Sequence, residues 1–262
     1  MGSDALLHLF DYRRYREEIA PELHAFLKSG QRAQWLREAL ARQGREPAPP
    51  LIDYVQICTH LTPTFAWADS GAWQPWSWDE QEQRYTGVQL QAVSCESTSC
   101  PARQSCPFHS TNYFHAAEPF NALFERAVEQ CLGDSVLVGR TVSVVRYRQQ
   151  LHLFGLDDHH PLSELFQRLG QRGAVLGYRW GSSFEGVHGW LTPDESVTLA
   201  DLLDVLPLPE HARPFAATQA ALDASAQSGA PDDAFWPLSL ALVRSAARLA
   251  ADAGQGLLWR NV

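Results

Sequence analysis

The stretch Ala174-Val-Leu-Gly-Tyr-Arg-Trp180, then Gly181-Ser-Ser-Phe-Glu-Gly-Val-His-Gly189, then Thr192-Pro193-Asp194-Glu195 sets the fold class. Its first part is a short, mostly apolar run of the kind that forms a buried strand. Its middle is glycine-rich and reads as a loop. Its last part starts a helix. Thr192 is the N-cap, Pro193 takes the first helical position, and Glu195 reaches back to complete a capping box. Leu199, Leu202, Leu203 and Leu206 continue that helix, and Pro207 and Pro209 stop it. Strand and helix in succession, without strict alternation along the whole chain, predict an α+β fold.

Outward from that stretch the pattern repeats. Leu162, Leu165, Phe166 and Leu169 mark a helix closed by Gly170. A final helix is expected from about Pro237 to Ala253, with Gly256-Leu-Leu-Trp259 as a terminal strand. At the other end, Tyr12, Tyr15, Ile19, Leu23, Phe26 and Leu27 recur at three- and four-residue spacing, which places them on one helical face. Ser29-Gly30 ends that helix, and a second carries Trp35, Leu36 and Leu40 before Gly44 and the Pro47-Ala-Pro-Pro50 linker. Leu51–Leu61 is apolar and fits helix or strand. Tyr85–Val93 reads as a strand, and Pro119 opens a helix with Phe120, Leu123, Phe124, Val128 and Leu132 on one side. Three regions result: a helical N-terminal region (1–46), a Trp- and Cys-rich region (51–135) and a mixed α/β C-terminal half (136–262). All three are short enough to share one domain.

Chemistry concentrates in the middle region. Cys95, Cys100 and Cys106 are followed by His109, in the order C-x4-C-x5-C-x2-H. Three thiolates and an imidazole complete a tetrahedral zinc shell. The spacing is not that of paired C-x2-C knuckles, but each spacer is short enough for a loop to fold around one ion. Pro101 and Pro107 restrict the backbone beside two of the cysteines, lowering the entropy lost on ordering the loop. Zinc is the expected metal because His109 is local, and His115 is a substitute for it. An iron–sulfur cluster is the alternative, with Cys58 as the fourth thiolate. Cys131, on an apolar helix, reads as core. The ligand set is closed, whereas hydrolytic zinc keeps a position for water. The site is therefore expected to be structural.

Two polar loops compete as catalytic candidates. Asp157-Asp158-His159-His160 offers carboxylates and imidazoles before Pro161, although a helix start capped by Asp or His uses the same residues. Arg179, Ser182, Ser183, Glu185 and His188 lie in the glycine-rich loop, which lacks any phosphate-binding order. Trp67, Trp73, Trp76 and Trp78 form either a stacking platform or a cap on irregular core.

The chain has 262 residues and a net charge of −9, with its arginines scattered. That balance argues against a nucleic-acid surface, which needs clustered Lys and Arg. No apolar run reaches membrane-spanning length, and the N-terminus lacks a secretory signal. The expectation is a cytoplasmic protein whose thiols stay reduced. Its expected role is that of a zinc-stapled, non-catalytic module that binds a protein partner, the alternative being an enzyme using one of the two polar loops.

Overall fold

The computed structural model describes residues 4–43, 55–56, 58–59, 77–79, 84–86, 118–140, 144–171, 186–210 and 232–262. The strands in chain order are β1 (Asp4–Phe10), β2 (Ser77–Asp79), β3 (Arg84–Thr86), β4 (Leu132–Arg140), β5 (Gly186–Leu191) and β6 (Gly256–Asn261). The helices are α1 (Ala20–Ser29), α2 (Gln34–Gln43), α3 (Glu118–Glu129), α4 (Val144–Gln150), α5 (Pro161–Gln171), α6 (Pro193–Asp204) and α7 (Asp232–Asp252). Helices with a four-stranded antiparallel sheet make the fold a mixed α+β one. No helix among the described residues is long and apolar enough to cross a membrane.

The chain divides into two compact units. One comprises Met1–Tyr12, Leu132–Arg172 and Ser182–Val262, and the other Arg13–Cys131 and Gly173–Gly181. The first holds the sheet, in the order β4-β1-β6-β5 with every neighbouring pair antiparallel. Leu7 lies opposite Trp259 and Leu9 opposite Leu257, while Leu191 faces Leu257 from the other side. Side chains alternate across a strand, so Ala5, Leu7, Leu257 and Trp259 share one face. On that face they join Leu199 and Leu203 of α6, Leu162 and Phe166 of α5, and Leu240, Val243 and Ala247 of α7 in one apolar core. Trp259 is fully buried, and truncating such a residue to alanine costs about 3–5 kcal/mol. The opposite face is buried as well: Phe10, Trp190 and Leu258 are inaccessible, with the Phe10 and Trp190 rings 6.1 Å apart. Leu6 and Phe10 put apolar side chains on this face of β1 too, so the strand lacks the strict alternation of a half-exposed one.

Strand β4 is irregular. Ala5 pairs with Gly139 and Leu6 with Leu137, so Val138 is an extra residue in the ladder. A bulge leaves such a residue unpaired. Here the Val138 carbonyl accepts from Tyr147 Oη of α4 at 2.6 Å and from Ser239 Oγ of α7 at 2.7 Å.

The second unit is built on helices. A π-helical turn, Tyr15–Ile19, runs directly into α1. Tyr15, Ile19, Leu23 and Phe26 are buried at the spacing that the sequence indicates, and Gly30 closes the helix. Helices α1 and α2 both touch α3, which buries Leu123, Phe124 and Val128. Arg14 Nη1 donates to the Gln130 carbonyl at 2.6 Å, satisfying an acceptor just past the C-terminus of α3. Strands β2 and β3 form a separate antiparallel pair with Trp78 opposite Tyr85.

Several elements depart from expectation. Strand β1 and helix α4 have no counterpart in the sequence reading. Leu132, expected to extend the face of α3, instead begins β4, because α3 ends at Glu129. The glycine-rich loop is shorter than its sequence suggests, since Gly186–Gly189 belong to β5.

Candidate functional site

Cys95, Cys100, Cys106 and His109, together with His115, lie outside the described residues, as do Trp67, Trp73 and Trp76. The two remaining cysteines are placed. Cys58 is fully buried in a helical stretch with Val55, where Thr59 Oγ1 donates to the Val55 carbonyl at 2.7 Å. Cys131 is buried just beyond α3, its amide donating to the Val128 carbonyl at 2.8 Å. Neither forms a disulfide among the described residues. No group of three or more His, Cys, Asp or Glu side chains among the described residues is arranged to hold a metal ion.

The Asp157–His160 segment is described in full, and its polar groups serve the start of α5. Asp157 Oδ1 accepts from the His159 amide at 3.0 Å, and the Asp157 carbonyl accepts from the His160 amide at 3.2 Å. His160 Nδ1 accepts from the Leu162 amide at 3.2 Å, and the His160 carbonyl accepts from the Ser163 amide at 2.8 Å. Two amides of the first helical turn are thereby satisfied, which is the work of an N-cap. Asp158 faces elsewhere, 3.8 Å from Arg148 Nε and 4.0 Å from His152 Nε2. Arg148 also donates to Ser163 Oγ at 2.7 Å, tying α4 to the first turn of α5. Asp157, Asp158 and His159 are exposed, so the segment is a braced surface turn.

Of the glycine-rich loop candidates, Arg179, Ser182, Ser183 and Glu185 lie outside the described residues. His188 is buried within β5, beside the register shift between Val187 and Gly189.

The most developed buried polar cluster went unnoticed in the sequence. Tyr147 and Ser239 meet each other as well as the Val138 carbonyl, so two hydroxyl protons are shared among three oxygen–oxygen contacts. Around the phenol stand Phe166, Trp236 and Trp259, with ring centroids 5.8, 5.3 and 5.2 Å away. Burial pushes the Tyr147 hydroxyl far above its ordinary pKa, an effect that the hydrogen bond to Ser239 only partly offsets. Such a phenol keeps its proton and acts as a fixed donor. No sequence signal pairs Tyr147 with Ser239, which are 92 residues apart.

On the surface, Arg248 of α7 pairs with Asp204 and, at 3.1 Å, with Asp201, both on α6. The hydrogen bond that Arg248 donates to Asp204 is the main cause that raises the Arg248 pKa. Arg168 of α5 donates to Glu195 Oε1 at 2.6 Å and so reaches the capping carboxylate of α6. These pairs fasten helices to one another.

Comparison with protein families, with curated proteins and with solved structures gave no match.

Proposed function

We propose that the chain is a cytoplasmic structural-zinc protein, with Cys95, Cys100, Cys106 and His109 holding one ion. In this reading the stapled loop presents a surface to a protein partner and catalyses nothing. One observation carries it: all five cysteines fall within Arg13–Cys131, the span that leaves the sheet unit between the paired strands β1 and β4. The sheet unit itself has no cysteine. Thiols confined to one unit, three of them with a histidine inside a short turn-rich segment, suit a local tetrahedral metal. The neighbouring tryptophans Trp67, Trp73, Trp76 and Trp78 give that unit large amphipathic side chains of the kind enriched at protein interfaces.

Elemental analysis of protein purified without chelator tests the proposal. The expected result is about one zinc per chain, as in four-ligand structural sites. Replacing Cys95, Cys100 or Cys106 with serine should release it, whereas His109→Ala should weaken binding less, because water or His115 fills the fourth position. Iron with acid-labile sulfide, and loss of colour on Cys58→Ser, would establish the cluster instead. Metal-free protein with all three thiols freely reactive would sink both.

A further inference from the structure

We draw no further inference here: the strongest candidate, His8 and Arg260 at diagonal positions of β1 and β6 on the sheet face opposite α5, α6 and α7, rests on strand register and partial burial, and nothing in the structure shows what it would hold.

Discussion

Gly254 and Gly256 lie two residues apart after α7, yet a methyl group at each meets a different obstacle. Gly254 sits at φ +63° with nothing within 4 Å of an added Cβ, so an alanine there strains only the backbone. Left-handed strain of that kind costs about 1–2 kcal/mol. At Gly256 the added Cβ would stand 2.2 Å from the Leu191 carbonyl oxygen, on the neighbouring strand. Neither backbone can yield without disturbing the β5–β6 ladder, so Gly256→Ala should cost about 3 kcal/mol or more. Urea unfolding of both variants checks the ordering. A Gly256→Ala protein as stable as Gly254→Ala would show that the strands part easily. The sequence marks Gly256 as the head of a strand, but the close approach depends on Leu191, 65 residues earlier. Tyr147 supports a second prediction. Its buried phenol holds its proton beyond the pH, about 10, at which an unfolded tyrosine releases its own. Unfolding at alkaline pH therefore releases a proton. Stability that is fully present below about pH 10 falls as pH rises further, by about 1.4 kcal/mol per pH unit. Tyr147→Phe should cost about 1 kcal/mol at neutral pH, since Ser239 still serves the Val138 carbonyl. Above pH 10 the gap between the two proteins should close. Parallel stability curves through that range would refute the buried phenol as its source.

At the scale of elements, α6 shows what local sequence can specify. The Glu195 amide donates to Thr192 Oγ1 at 3.3 Å, and Glu195 Oε2 accepts from the Thr192 amide at 2.8 Å, so the capping box forms as its residues dictate. Thr192→Ala should lower unfolding free energy by about 1 kcal/mol, and Thr192→Ser should restore most of it. Equal stability of all three proteins in chemical unfolding would mean that the cap contributes nothing. The helices closed by Gly30 and started at Pro161 were legible for the same reason: their boundaries are set within a few residues. The α+β class followed from these helices together with the terminal strand. Strands β1 and β4 were not legible. Apolar on both faces, β1 has no period-two signature, and the bulge at Val138 interrupts the pattern of β4. Pairing across more than a hundred residues decided both. His188 misled for a related reason, because its glycine-rich context resembles a loop, while the pairing of Val187 and Gly189 with β6 on either side carries it into β5. Among the candidate sites, Asp157–His160 was legible down to its use as a helix start, since that too is local.

The whole molecule is organised by an insertion. Phe10 pairs with Leu132, so the chain leaves β1 and returns in β4 at adjacent register positions after the span that carries every cysteine. A sheet whose central strands are the first and last of its four draws its order from both chain ends, through ladders that contain none of the proposed ligands. Metal binding, by contrast, contributes folding free energy where the ligands are, because the site does not exist in the unfolded loop. Removal of the proposed zinc should therefore have a local signature. In hydrogen–deuterium exchange, chelation should raise uptake in peptides spanning Cys95–His109, and Cys100→Ser should reproduce that rise without chelator. Amides of β1 and β6 should keep their protection in both cases, since hydrogen exchange reports opening region by region. An equal loss of protection in β6 would show that the metal supports the sheet as well as its own loop. Unchanged exchange at Cys95–His109 after verified metal release would overturn the idea that the ion orders this segment at all.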